Sequence, residues 1–271
     1  MNYLKYLLIF ILGFQGNVVS VDSKPKRAIV IGASAGMGRA ISKLLAKDYV
    51  VGLAARRLSM LQQLQTEIPT PTYIKELDAS NPQEAVLALK ELIVEMGGID
   101  LLVISISAFH EISPSSRDWL ESQAIFDVDI IGFHALAKTG LDAFEKQGYG
   151  HLVGFSSIDG LRGIADWPEY SAAKAWASRY MEAERNYFAQ HKLPIYITEL
   201  IPGWINSAED PDFTKKFPKA YWVDSLDDAT FAILEAIKDK KKIAYITKRW
   251  EQVSEVIKIM SDDLYNALGG I

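Results

Sequence analysis

Two hydrophobic rhythms alternate along this chain. Short, nearly continuous apolar runs rich in β-branched residues recur at 27–31, 50–55, 72–77, 99–106, 150–156, 195–201 and 243–246. Strands buried on both faces read this way. Between them, apolar residues fall at helical spacing, as Ile41, Leu44 and Leu45 do, and then Leu61 and Leu64. The predicted helices are 39–47, 58–68, 82–96, 119–146, 169–191 and 227–238, the third stopped by Gly97-Gly98. Strand and helix in strict alternation predict crossover units and a parallel sheet covered on both faces. About seven strands without a linker predict a single doubly wound, Rossmann-like α/β domain over residues 26–271. Ligands of such sheets sit beyond the carboxyl ends of the strands. Gly32, Asp78, Ser105, Ser157 and Gly203 all lie at or just past predicted strand ends.

Composition narrows the function. The chain has 271 residues, 49% of them hydrophobic, and a formal charge of −5. That charge points away from nucleic acid. The run Lys238-Asp239-Lys240-Lys241-Lys242 reads as a solvated helix end. With no cysteine, disulfides, thiolate catalysis and cysteine zinc sites are excluded, and no histidine spacing suggests a metal. Residues 1–25 precede the domain and carry the apolar run 6–14. This run is too short to span a bilayer comfortably. It fits a signal-peptide core with Ser20 near a cleavage site, a membrane-associating segment over residues 4–14, or a start codon placed too early.

Gly32-Ala33-Ser34-Ala35-Gly36-Met37-Gly38 joins the first strand to the first helix. Glycines allow a tight turn and close approach of a ligand. The helix start then offers free N–H groups to a phosphate. The spacing differs from the Gly-x-Gly-x-x-Gly fingerprint but serves the same physics. The same residues match the Gly-x-Ser-x-Gly elbow of α/β-hydrolases. Context argues against that reading. The elbow would sit on the first strand, with no earlier strand to supply a second oxyanion donor. None of His110, His134, His151 and His191 lies in a late loop. The second strand ends in Ala54-Ala55-Arg56-Arg57, where an NAD site usually places an acid. Guanidinium groups favour a 2′-phosphate, so NADP is expected over NAD.

Tyr170 and Lys174 stand one helical turn apart. An ammonium ~6 Å from a phenol, at an effective dielectric of ~20, favours the phenolate by ~3 kcal/mol. That is about two units, enough to bring the phenol towards its working range.

Taken in order, Gly32-x-x-x-Gly36-x-Gly38, Asp78, Ser156-Ser157, Tyr170-x-x-x-Lys174 and Pro202-Gly203 resemble the short-chain dehydrogenase/reductase family, over residues 26–262. The resemblance implies Tyr170 as general acid/base, Lys174 as its pKa-lowering partner and ribose ligand, and Ser157 as donor to the substrate oxygen. Hydride would pass between nicotinamide and substrate carbon. The cofactor set it implies, joined to the glycine-turn and arginine readings, is Gly32, Ser34, Gly36, Met37, Gly38, Arg56, Arg57, Asp78, Ser105, Tyr170, Lys174, Pro202, Gly203 and Ile205. A small-molecule carbonyl/alcohol substrate and a homo-oligomer follow from the same resemblance.

Two departures stand out. Ile104-Ser105-Ile106-Ser107 replaces the family's Asn-Asn-Ala-Gly, so Ser107 is expected to crowd the cofactor or move the strand end. Asp129 replaces the family's catalytic asparagine, and a carboxylate there attracts the lysine ammonium. Residues 204–225 correspond to the family's substrate loop. Trp204, Phe213, Phe217, Tyr221 and Trp222 either line a bulky apolar substrate or pack the loop onto the domain. Use of reduced NADP points to the cytoplasm, possible membrane association or export through a signal peptide being the alternatives that the apolar N-terminus raises.

Overall fold

A computed structural model describes residues 25–109, 118–207 and 222–268. The apolar segment at 4–14, Ser20, His110 and the loop aromatics Phe213, Phe217 and Tyr221 lie outside the described residues.

The chain runs β1 (Lys26–Ile31), α1 (Gly36–Leu45), β2 (Tyr49–Ala55), α2 (Leu58–Glu67), β3 (Thr72–Glu76), α3 (Pro82–Glu95) and β4 (Leu101–Ile104). It continues with α4 (Trp119–Ile125), a widened helical turn (Phe126–Gly132), α5 (Phe133–Gln147), β5 (Gly150–Phe155), a short tight turn of helix (Ile158–Gly160) and α6 (Pro168–Gln190). Next come β6 (Ile195–Pro202), β7 (Trp204–Ile205), β8 (Val223–Asp224), α7 (Leu226–Lys238), β9 (Ile243–Ile246), α8 (Lys248–Ile259) and α9 (Asp262–Ala267).

Seven strands form one sheet in the order β3-β2-β1-β4-β5-β6-β9, every pair parallel. All seven strands expected from the apolar runs are present. Alternate residues of each strand feed opposite cores. Ile29 and Ile31 of β1 join Leu89, Leu92, Phe144 and Phe188 on the α3, α5 and α6 face. Ala28 and Val30 join Leu61, Leu64 and Ile233 on the α1, α2 and α7 face. The strand order reverses between β1 and β4, which opens a crevice at their carboxyl ends.

Local signals fix several ends. Pro82 opens α3, and the left-handed Gly148 closes α5. Ser225 caps α7 by accepting from Asp228 N–H at 3.1 Å, with Asp227 and Asp228 in the first turn. β7 and β8 pair as a small parallel ribbon.

Three features differ from the sequence expectation. The fourth strand ends at Ile104, two residues early. The helix expected over 119–146 contains the widened turn centred on Asp129, a deviation often found where a helix serves a site. The apolar pattern predicts no element after the last strand, where the structure has α8 and α9, which bury Trp250 and Tyr265. No helix among the described residues is long and apolar enough to cross a membrane.

Candidate active site

The glycine turn lies at the mouth of the β1–β4 crevice. Gly32 takes φ +88°, and a Cβ there would collide with the Ser105 carbonyl that follows β4. Only glycine lets the two strand ends come this close. α1 then begins at Gly36 from the extended Ala35, with neither a side-chain cap nor an acid in the first turn. Its first N–H groups are thus left for a ligand. Met37 packs into the α1-side core, and Gly38 is buried.

At the end of β2, Arg56 and Arg57 are exposed, and Arg57 Nη2 donates to Ser34 Oγ at 2.9 Å. This bond brings a guanidinium onto the glycine turn. The basic groups of α1 are engaged elsewhere: Arg39 and Lys43 pair with Glu67 at 2.5 and 2.6 Å. Asp78 sits past β3 and accepts from Ser80 N–H and Oγ at 3.0 and 2.8 Å. Pro202 ends β6, and Ile205 in β7 packs against the α1-side core. Gly203 carries a different reason for being glycine: a Cβ there would enter the Trp250 ring. A tight turn, an uncapped helix start and adjacent guanidinium groups fit a dinucleotide phosphate.

The second cluster surrounds Tyr170. Ser157 follows β5; its hydroxyl accepts from Asp159 N–H at 3.2 Å and pulls the Tyr170 phenol pKa down. Lys174 Nζ lies 5.4 Å from the centre of the Tyr170 ring, as one helical turn predicts. The same ammonium meets Asp129 Oδ1 at 2.8 Å, both side chains being buried. Asp129 Oδ2 accepts from Ala108 N–H at 2.8 Å. The widened turn in the helix thus joins the β4 exit to the Tyr170 helix. Phe109 stacks obliquely on Tyr170 at 4.4 Å, and Trp167 meets Phe109 edge-on at 5.0 Å.

The electrostatics correct the simple Tyr–Lys argument. Burial pushes Tyr170 up to about 12. Lys174 and Ser157 pull it down, but Asp159 and Asp129 push it further up. Burial also disfavours the Lys174 charge, yet the Asp129 carboxylate and the Tyr170 phenol hold that ammonium above its ordinary range. The lysine field reaches the phenol and is outweighed.

Ser107 follows a strand end that falls two residues earlier than the apolar run predicts. Its side chain is exposed and accepts from Phe109 N–H at 3.1 Å, shaping the turn after β4. Among the loop aromatics, Trp204 and Trp222 lie 6.0 and 5.5 Å from Trp250 and pack onto the domain. Ser157, Tyr170, Lys174 and Asp129 therefore converge, while Gly32, Ser34, Gly36, Arg57 and Ser105 form a neighbouring cradle. Asp159, two residues past Ser157, belongs to no motif of the sequence yet raises the Tyr170 phenol.

The short chain dehydrogenase family model matches residues 26–216. The chain belongs to the short-chain dehydrogenase/reductase family and is an oxidoreductase of the NAD(P)-dependent kind. It is similar to an uncharacterized oxidoreductase of Myxococcus xanthus, 27% identical over 248 residues that cover 89% of this chain and 95% of the relative. A Mycobacterium tuberculosis oxidoreductase is 29% identical over 189 residues, 67% of this chain and 74% of its own. In fold, a short-chain dehydrogenase from Streptomyces avermitilis matches with a TM-score of 0.69 at 21% identity, covering 91% of this chain and 98% of that one. One from Mycobacterium ulcerans gives a TM-score of 0.73 at 15% identity over 82% of this chain and 88% of that one.

Proposed function

We propose that this protein is an NADP(H)-dependent oxidoreductase of a carbonyl/alcohol pair, with Tyr170 as its proton-transfer group. The observation that carries the reading is the convergence of Ser157, Tyr170 and Lys174 beside the glycine cradle. Residues 26–271 form the working domain. NADP(H), when bound, exchanges hydride with the substrate carbon. The chain's residues do the rest. Gly32, Gly36 and the free N–H groups of α1 receive phosphate, Arg56 and Arg57 favour a 2′-phosphate, and Asp78 faces the adenine end. Ser157 and Tyr170 hold the substrate oxygen. As that oxygen gains negative charge, both bonds strengthen, and Tyr170 passes its proton. Lys174 then stabilises the phenolate. Phe109 and Trp167 supply an apolar wall beside Tyr170, which suits a bulky apolar substrate body.

Asp129 favours a second reading, a dinucleotide-binding sensor with little turnover. Its carboxylate offsets the lysine, and the phenol is held at about 12. The Tyr170→Phe variant separates the two. In an enzyme, reduction of ketones falls by about 10²-fold or more while NADPH titrates as before. A sensor shows no ketone turnover to lose. If the Phe variant reduces ketones at the parent rate, Tyr170 is not the proton donor.

A further inference from the structure

The segment from Ser157 to Tyr170 leaves β5, makes the tight turn Ile158–Gly160 and enters α6 at Pro168. Both of its ends are fixed close to the site. The Ser157 hydroxyl accepts from Asp159 N–H at 3.2 Å, and Ser157 O accepts from Gly160 N–H at 3.0 Å. Gly160 lies against the backbone of α6: a Cβ there would stand 2.8 Å from the Lys174 carbonyl carbon. At the far end, Ile164 N–H donates at 3.1 Å to the hydroxyl of Ser171, the residue after Tyr170. A shift of the turn therefore moves Ser157 relative to the helix that carries Tyr170 and Lys174.

The middle of the segment is held from outside, by the C-terminal part of the chain. Arg162 donates to Met260 O at 2.6 Å, pairs with Asp262, and stands 4.2 Å from the centre of the Tyr265 ring. Tyr265 Oη donates to Gly163 O at 3.2 Å. These contacts are unequal. The Asp262 side chain is 89% exposed, so its ion pair contributes little. Tyr265 is only 6% exposed, and a guanidinium over a ring shielded from water keeps more of its attraction. The two carbonyls gain donors that they would otherwise draw from water. Helix α8 adds a second hold, Ile158 and Leu161 packing with Trp250.

We propose that Arg162 and Tyr265 are positioning residues of the active site. Together they hold the Ile158–Gly160 turn onto α6 and so fix Ser157 relative to Tyr170 and Lys174. Both act through the turn, without touching the substrate. The proposal rests on the oxidoreductase reading above and adds α9 to the parts of the chain that the reaction requires. A hydrogen-bond donor displaced by about 1 Å costs about 10²-fold in rate. Nucleotide affinity, set largely at the glycine turn, is left in place.

The test compares the full-length protein with its Arg162→Met, Arg162→Lys and Tyr265→Phe forms. Three quantities are measured: reduction of a panel of apolar ketones, NADPH affinity by titration, and amide hydrogen exchange. Arg162→Met should lower kcat by about tenfold or more. Exchange at Gly160 and Leu161 should accelerate by about tenfold, while β1 and α1 keep their protection. NADPH affinity should stay within about twofold of the parent. Arg162→Lys, which keeps a cation and a donor, should regain most of the lost rate, and Tyr265→Phe should fall between. Parent kcat in both Arg162→Met and Tyr265→Phe overturns the proposal. So does a loss of rate matched by weaker NADPH binding and faster exchange in β1 and α1, which marks general loosening of the fold. If the parent reduces no ketone, the oxidoreductase reading fails and exchange alone decides: acceleration confined to the turn supports the hold of α9 on it, and unchanged exchange overturns it.

Discussion

Lys174 Nζ and Asp129 Oδ1 meet at 2.8 Å with side chains only 6% and 0% exposed. The carboxylate occupies the place of a neutral amide in the family pattern, and it acts against the lysine's effect on Tyr170. Asp129→Asn keeps an acceptor for Ala108 N–H but removes the negative charge. The phenol then ionises more readily. The pH at which alcohol oxidation reaches half its maximum should fall by about one unit, roughly tenfold in rate below the midpoint. The same change leaves a buried ammonium without its counter-charge, so the free energy of unfolding should drop by about 3 kcal/mol. Rate profiles over pH and urea unfolding measure the two effects separately. A profile that stays in place would show that Asp129 does not control the phenol.

Arg57 reaches Ser34 across the glycine turn at 2.9 Å, and Arg56 is exposed beside it. A charge-assisted hydrogen bond contributes about 1.5–3 kcal/mol. Removing both guanidinium groups in Arg56→Ala/Arg57→Ala should weaken NADPH binding by about 10²-fold. NADH, which has no 2′-phosphate, should lose far less. Fluorescence titration with each nucleotide reads the difference, and equal losses for both would remove the case for NADP preference.

Much of this arrangement was legible in the sequence because its signals are local. The apolar runs define the sheet, since strands buried on both faces need no alternation. The four-residue spacing of Tyr170 and Lys174 places them together because one helical turn does so in any fold. What stayed hidden depends on partners far away in the chain. The pull of Lys174 on Tyr170 could be estimated from spacing, but the burial that outweighs it comes from tertiary packing. Asp159 shows no motif, and its upward effect on the Tyr170 phenol emerges only in the folded chain. The helix of Trp250 follows the last strand with a weak pattern, and its meaning emerges where the ring fills the space beside Gly203.

That packing yields a prediction of its own. Pro202-Gly203 resembles a cofactor-lining pair, yet Gly203 abuts a Trp250 side chain that is 1% exposed. Gly203→Ala inserts a methyl into a filled space between β6 and α8. Overpacking of this kind costs about 1–3 kcal/mol. Thermal unfolding should move to lower temperature. Trp250→Leu destabilises the protein by itself, but with that room opened the added cost of Gly203→Ala should shrink towards zero in a double-mutant cycle. An equal cost of Gly203→Ala in both backgrounds would locate the role of Gly203 in backbone freedom or ligand approach.

His151 gives the fold an acid-sensitive element away from the site. It is buried in β5 and shares a 2.8 Å hydrogen bond with Thr198 of β6. Burial, aided by the charge of Lys240, lowers its pKa from 6.5 to about 4. The unfolded chain therefore takes up this proton first as pH falls. Stability from the neutral imidazole is complete above pH ~6.5 and is lost progressively down to pH ~4, a span of about 3 kcal/mol. Asp159, raised from 3.8 to about 6, acts in the opposite direction across most of that window. The comparison must therefore be between proteins that share Asp159. His151→Gln retains a polar group for Thr198 and cannot titrate. Between pH 7 and pH 4.5 the parent should lose about 2–3 kcal/mol more than the Gln variant in urea unfolding. Parallel losses in the two proteins would show that the imidazole is protonated without cost in the folded state.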